Sequence, residues 1–294
     1  MPPPESIVVT PHLLRDWPLP DPSGGKEARG SILVIGGSAE TLGAVVLAAE
    51  SALRAGAGKL QVATAASVAP FAALALPEAL VRGLPETDGG AIRADGVEAI
   101  RDLAEAADAV LFGPGMTDKE QTQEFGERLL AGLSCPTVVD ALGLACVTAD
   151  ASCVHHLDER VVLTPNPNEL ALSLHLDQEQ IDDDPASAAL ELASRARATV
   201  GLGGVTSWMA APDGRLWRDE SGGDGLGVSG SGDVRAGITA GLLARGATPE
   251  QAAVWAAYLH GRAGERLASS IGSLGFLARE LPREVPGALA EITG

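Results

Sequence analysis

The chain is short of aromatic residues, of cysteine and of positive charge, and each shortage removes a class of explanation. Only 3% of its 294 residues are aromatic while 46% are hydrophobic, so Ala, Val and Leu must fill the interior. Cys135, Cys146 and Cys153 are an odd set without ligand spacing, which excludes a disulfide framework and a structural zinc site and leaves reduced thiols. Lys and Arg number 21 against 39 Asp and Glu, a formal net charge of −18. A surface so acidic repels nucleic acid and anionic membranes, and a phosphate-bearing ligand would need local donors. No apolar run reaches membrane-spanning length without Pro or charge, and Met1-Pro-Pro-Pro-Glu-Ser6 lacks the basic and apolar regions of a signal peptide. The expectation is a cytoplasmic protein that binds neither nucleic acid nor membrane.

What is present is alternation. Residues 1–30 are rich in Pro, Gly and charge and read as a lead-in with a short helix near Pro11 to Asp16. Ser31 to Ile35, Lys59 to Ala63, Ala109 to Phe112, Thr137 to Asp140, Val161 to Thr164 and Ala198 to Leu202 are short apolar runs of strand type. Helical segments separate them: Ala44 to Ala55, Gly96 to Ala107 and Pro185 to Arg197. Thr206 to Ala210 and Gly214 to Arg218, joined through Pro212-Asp213-Gly214, read as an antiparallel hairpin. Helices over Val234 to Arg245 and Pro249 to Ser269 finish the pattern. Repeated strand, helix, strand order predicts an α/β fold with a mostly parallel sheet covered on both faces. No linker or repeat divides the chain, so one domain over 1–294 is expected.

The most informative segment is Gly225-Leu-Gly-Val-Ser-Gly-Ser-Gly-Asp233, which runs straight into the apolar helix from Val234. Four glycines in nine residues let backbone approach a ligand closely, and N–H groups at a helix start converge on an anion. Asp233 stands at that start, where a carboxylate serves equally as a helix cap or as a catalytic group. Gly36-Gly37-Ser38, Gly113-Pro114-Gly115-Met116, Asp140 and Thr164-Pro-Asn-Pro-Asn-Glu169 all follow strands, where ligands bind in parallel sheets. Asp140 and Glu169 also have plain readings, as a loop hydrogen-bonder and a helix starter. His155-His156 reads as a solvated loop pair, His260 as a satisfied core histidine, and Asp182 to Asp184 as a solvated cap. No His, Cys or carboxylate cluster has structural zinc spacing, and the acidic run Asp182 to Asp184 is the one that could attract Mg²⁺.

With these motifs in order, the chain resembles the ADP- or ATP-dependent NAD(P)H-hydrate dehydratases of the ribokinase-like superfamily. The likeness rests on Gly30-Ser-Ile-Leu-Val-Ile-Gly-Gly-Ser38, Gly43-Ala44, Ala52-Leu-Arg-Ala-Gly-Ala-Gly58, Pro77-Glu78, Gly113-Pro114-Gly115, Asp140-Ala-Leu, Thr164-Pro165 with Glu169, Gly230-Ser-Gly-Asp233 and Leu259-His260-Gly261. It implies a three-layer α/β/α sandwich and a repair reaction in which ADP or ATP, with Mg²⁺, drives water off hydrated NADH or NADPH. By that resemblance Asp233 is the base and also touches substrate, with the Gly230, Ser231 and Gly232 amides as anion hole. Gly203, Gly204, Val205, Thr206 and Ser207 contact the nucleotide, and Ala44, Gly115 and Asn166 the hydrated substrate. It also implies a homo-oligomer.

Several positions depart from the pattern. Gly203-Gly204 stands where the family shows Lys-Gly, Asn166 and Asn168 replace a histidine and a glycine, and Asp224 and Ser229 replace a proline and a glycine. Arg235 stands where a small or apolar residue is usual. A small-molecule kinase of the same superfamily, in which the same Asp would activate a hydroxyl, and a weakened nucleotide-binding homologue are the alternative readings.

Overall fold

The computed structural model describes residues 4–21 and 23–294. Its centre is one sheet of ten strands: β1 (Ile7–Val8), β2 (Ser31–Ile35), β3 (Lys59–Ala65), β4 (Ala79–Leu84), β5 (Ala109–Phe112), β6 (Thr137–Val139), β7 (Val161–Leu163), β8 (Thr199–Leu202), β9 (Ser207–Ala210) and β10 (Leu216–Asp219). They lie in the order β1-β10-β9-β8-β7-β6-β5-β2-β3-β4. Only β9 runs against its neighbours β8 and β10. The expected hairpin is therefore there, with Leu216 opposite Ala210, and its first strand extends the parallel sheet at β8.

Every residue of β2 and β5 is buried, as continuous apolar runs covered on both faces require. Side chains alternate between the faces. Ile32, Val34, Val62, Leu111 and Val138 join a core formed with the helices Leu42–Arg54, Ser231–Ala244, Pro249–Ser270 and Leu281–Thr293. Leu33, Ile35, Val110, Phe112 and Val139 join the opposite core, under Lys119–Leu130, Pro167–Leu174 and Pro185–Ala196. The three layers expected from sequence are thus in place.

Some elements escaped the sequence reading. The edge strand β4 alternates only weakly between buried and exposed and carries Arg82 and Gly83, so no period-2 signal marks it. The expected helix over Gly96 to Ala107 is two pieces, a 3₁₀ segment Ala94–Ile100 and an α-helix Arg101–Ala106. The final helix Leu281–Thr293 holds Pro286 inside it, a residue that reads as a breaker until tertiary burial of Leu281, Val285 and Ala288 outweighs it. The lead-in clasps the sheet edge and the helix Pro249–Ser270. Its helix Pro11–Asp16 forms as expected, β1 pairs parallel with β10, Trp17 stacks on Trp217 at 5.8 Å, and Trp255 Nε1 donates to the Trp17 carbonyl at 3.0 Å.

The chain reverses its winding between β2 and β5: β3 and β4 lie to one side of β2, while β5 to β8 lie to the other. Such a switch leaves a crevice at the carboxyl ends of the strands, because the connections diverge there. The helix Ser231–Ala244 approaches it by lying hard against Leu42–Arg54. A Cβ on Gly237 would fall 2.1 Å from the Ala48 carbonyl oxygen, and one on Gly241 2.4 Å from that of Ala52. Replacing Gly241 with alanine pushes backbone against backbone, and we expect a loss of about 1–3 kcal/mol. A lower urea midpoint at unchanged slope checks this.

Candidate active site

Gly230 takes a left-handed conformation, φ +90°, and turns the chain into the helix Ser231–Ala244. A side chain there would be strained, and its Cβ would meet Leu47 at 2.6 Å. The Ser231 N–H is spent on the Val228 carbonyl at 3.1 Å, which corrects the expectation that all three amides from Gly230 to Gly232 face a ligand. Among the described residues, the Gly230 and Gly232 N–H groups have no protein acceptor. They sit at the positive end of a 14-residue helix, where backbone donors favour an anion. The Ser231 hydroxyl is held by His260 Nε2 at 2.8 Å. Burial, then the Arg235 charge, pushes the His260 imidazole down to about 3, so it is a neutral hydrogen-bonding partner, as the core-histidine reading expected.

Asp233 sits in the first turn of this helix, half-buried. Burial first, and then the Glu169 charge, raise its carboxyl to about 6. Asp140, 6% exposed at the end of β6, is raised to about 8 by burial. The Thr164 hydroxyl donates to its Oδ1 at 2.6 Å and offsets part of that, while Asp233 and Glu169 add to it. Burial likewise raises Glu169. Carboxyl groups crowded in this way do not all ionise together. At neutral pH Asp140 keeps its proton and Asp233 does not, so only one of the two can accept a proton.

Glu169 and Asn166 form a capping box at the start of Pro167–Leu174: Asn166 Oδ1 accepts from the Glu169 N–H at 3.0 Å, and Glu169 Oε2 from the Asn166 N–H at 2.8 Å. The carbonyl of Asn166 is thus engaged locally, and only its amide NH₂ faces outward to donate.

Across the crevice, Ala44 and Gly115 lie side by side. Gly115 has φ +68°, and a Cβ on it would lie 2.9 Å from that of Ala44 and 2.6 Å from the Thr41 carbonyl oxygen. Thr41 Oγ1 donates to the Gly115 carbonyl at 2.5 Å, and the Gly37 N–H to that of Pro114 at 2.7 Å. The two glycine turns after β2 and β5 therefore clamp each other. Ala44 lies one turn before Leu47, which packs on Gly230, so one helix links both sides of the crevice.

The segment 203–207 bridges β8 and β9, with Val205 fully exposed at its tip and Gly203 against the Arg235 guanidinium. Asp224 is exposed in a short 3₁₀ turn, Asp224–Leu226. Other candidates fall elsewhere. His155 and His156 lie in the 3₁₀ segment Ala151–Leu157, and their Nε2 atoms bind the Arg195 and Leu130 carbonyls, both at 2.9 Å, rather than being free in a loop. Asp184 caps Pro185–Ala196, as expected. No group of three or more His, Cys, Asp or Glu that could hold a metal occurs among the described residues. Thr164, marked in sequence as a strand end and part of the Thr164-Pro165 motif, holds Asp140, a role the sequence did not show.

The raised Asp233 makes a stability prediction. Its folded carboxyl titrates near 6 against an ordinary 3.8, so the stability linked to its proton is present below about 4 and lost as pH rises through about 6. Asp233→Asn removes the buried charge; its Tm should exceed the parent's by a few degrees at pH 8, and the gap should narrow as pH falls through about 6 and close below about 4, read by scanning calorimetry.

A family model described as NAD(P)H-hydrate dehydratase matches residues 32–286. The chain is 46% identical over 286 residues to the ADP-dependent (S)-NAD(P)H-hydrate dehydratase of Xanthomonas campestris pv. campestris, covering 97% of each protein. It spans about half the length of the bifunctional NAD(P)H-hydrate repair enzymes that it also matches. The ADP/ATP-dependent NAD(P)H-hydrate dehydratase from Bacillus subtilis, co-crystallized with ATP/Mg²⁺, superposes with a TM-score of 0.83 at 28% identity, covering 99% of each chain. A ribokinase-like superfamily protein from Enterococcus faecalis shares the fold, with a TM-score of 0.81 at 22% identity over 97% of this chain and 95% of that one. Motif order, sheet winding and near-full-length similarity agree, and the chain belongs to the NAD(P)H-hydrate dehydratase family.

Proposed function

We propose that this protein is a lyase that restores hydrated NADH and NADPH, using ADP or ATP, with Asp233 as its base. The observation that carries the reading is one carboxylate, ionised at neutral pH, in the first turn of a helix whose Gly230 and Gly232 amides are free for an anion. Hydroxide is a poor leaving group, so the ring hydroxyl of the hydrated nicotinamide must first be made into a better one. Asp233 takes the hydroxyl proton while that oxygen attacks the terminal phosphorus of the nucleotide, and the bond to the departing AMP or ADP breaks. The glycine amides hold the phosphoryl oxygens as charge develops on them. The C–O bond to phosphate then breaks and the neighbouring C–H proton passes to the departing phosphate, its electron pair re-forming the double bond. Ala44 and Gly115 leave room for the nicotinamide, the Asn166 amide donates to it, and Gly203, Gly204, Val205, Thr206 and Ser207 border the nucleotide.

Mg²⁺ fits this site only as a passenger. The protein offers no three-ligand cage among the described residues, and Mg²⁺ usually keeps several waters and rides on phosphates with one or two carboxylates. Glu169, with one oxygen tied into its capping box, is the carboxylate that would share it, and the ion would neutralise phosphate charge there.

Hydrated NADH incubated with Mg²⁺ and ADP or ATP should regain the absorbance of reduced nicotinamide. That recovery should require nucleotide and fall at least about a hundredfold in Asp233→Asn. Recovery without nucleotide, or a fully active Asp233→Asn, sinks the reading.

The rate should also fall as pH drops through about 6, where Asp233 becomes protonated. Glu169→Gln keeps the capping box, since Gln serves at that position, but deletes a charge that raises Asp233. The acidic limb of its pH–rate profile should therefore move to lower pH.

The same reading includes work in the cytoplasm as a homo-oligomer. No helix among the described residues is long and apolar enough to cross a membrane. At the β4 edge, Phe71, Leu74 and Leu80 remain 63%, 82% and 50% exposed, an apolar surface suited to a second copy. Leu74→Arg should lower the mass measured by analytical ultracentrifugation; an unchanged mass argues against this edge.

A further inference from the structure

Two residues whose identities look unrelated in sequence share one volume. The Arg235 side chain leaves the helix two positions after Asp233 and crosses to the end of β8. There Nη2 donates to the Gly201 carbonyl at 2.7 Å, and Nη1 makes a long contact of 3.5 Å with Ser207 Oγ. A Cβ on Gly203 would lie 3.0 Å from both Nη1 and Nη2 and 3.2 Å from Cζ. Any larger side chain at 203 would therefore need the space that the guanidinium fills. The first carbon of a side chain at the strand end would meet the guanidinium that the helix supplies.

The charge around Arg235 is not closed. Asp140, Asp219 and Glu169 surround it, yet among the described residues none forms an ion pair with it. Each carboxylate is engaged elsewhere: Asp140 Oδ1 accepts from the Thr164 hydroxyl, Glu169 Oε2 from the Asn166 N–H and Asp219 Oδ2 from the Ser221 hydroxyl. Burial weakens Arg235's preference for its proton, but a guanidinium remains cationic. A desolvated cation without a carboxylate partner, on the same helix as the free Gly230 and Gly232 amides, in a chain of net charge −18, is suited to an anion that arrives with the ligand.

We propose that Arg235 is the phosphate-binding cation of this site, its guanidinium passing over Gly203 to the phosphoryl group that the nucleotide transfers. The inference rests on the dehydratase reading and assigns it a catalytic residue. As the ring oxygen forms its bond to phosphorus and the bond to the leaving nucleotide breaks, the guanidinium N–H groups hold the non-bridging oxygens. Arg235 neither gains nor loses a proton. The competing role is a brace, in which Arg235 only ties β8 to the helix through Gly201.

The test uses Arg235→Ala, Arg235→Lys, Gly203→Lys and the double variant Gly203→Lys/Arg235→Ala. For each, Tm, kcat and KM for both substrates, and calorimetric binding of Mg·ADP are measured. Arg235→Ala should lower kcat/KM for nucleotide about a hundredfold or more, while KM for hydrated NADH stays within about threefold. Arg235→Lys should fall between, because it keeps charge and loses the planar fork. In the double variant the lysine enters the vacated space and should restore at least about tenfold of the loss; Gly203→Lys alone should restore nothing and lower Tm. Nucleotide kinetics and Mg·ADP affinity unchanged in Arg235→Ala overturn the proposal. So does a loss that follows Tm and that the lysine at 203 does not rescue, since that is the behaviour of a brace. If the parent protein fails to repair hydrated NADH, the dehydratase reading falls, and Mg·ADP affinity lost in Arg235→Ala and regained in the double variant still decides Arg235. Should Arg235→Ala not fold, Arg235→Lys and the double variant carry the same comparison.

Discussion

The close packing of the helices Ser231–Ala244 and Leu42–Arg54 is the contact on which the rest of the site depends. Gly237 and Gly241 lie against the carbonyls of Ala48 and Ala52 with no room for a Cβ. That contact fixes the N-terminus of the first helix over the crevice between β2 and β5. The same pair of helices carries Asp233 and the free amides on one side and Ala44 on the other. Shifting either helix outward by the width of a methyl group would separate the base from the pocket it serves. An interior built from alanine and glycine is what permits so close an approach, and the scarcity of aromatic residues is its counterpart.

The second constraint is electrostatic. A chain with 39 acidic and 21 basic residues must still receive polyanionic ligands. It does so without a basic surface. Burial keeps a proton on Asp140, a capping box ties down one oxygen of Glu169, and the Arg235 guanidinium lies against Gly203 at the end of β8 without an ion pair among the described residues. Backbone amides supply the remaining positive potential at no cost in net charge. The surface ion pairs, such as Arg266 with Glu284 and Glu291, are partly exposed and lie between the last two helices, where they add little.

Much of this was legible in the chain before folding. Strands β2, β5 and the paired β9 and β10 announce themselves because fully buried runs and Asp-Gly turns leave local signals. The glycine turns at Gly113 to Gly115 and Gly230 to Gly232 are readable because only glycine suits a left-handed φ in such close quarters. Elements that gain their stability from distant partners were not legible. β1 forms only because β10 offers an edge, and the Leu281–Thr293 helix tolerates Pro286 because the core takes its apolar face. In the site, the sequence did not show that the side-chain carbonyl of Asn166 holds a helix start and leaves only its NH₂ to donate.

Sequence alone determined the layer order, the strand-end loops and the identity of the acid at the helix start, since each is set by periodicity or by a residue type that a local backbone demands. Only the tertiary structure decided which acid keeps its proton. Asp140 and Asp233 are chemically the same residue, and their difference comes from unequal burial, which outweighs the Thr164 hydroxyl bond that pulls Asp140 back down; Glu169, brought in from far along the chain, raises both. The pairing of Gly203 with Arg235 is of the same kind. An absent side chain and an added one, 32 positions apart by their numbers in the chain, become a single feature only when the helix lays one over the other.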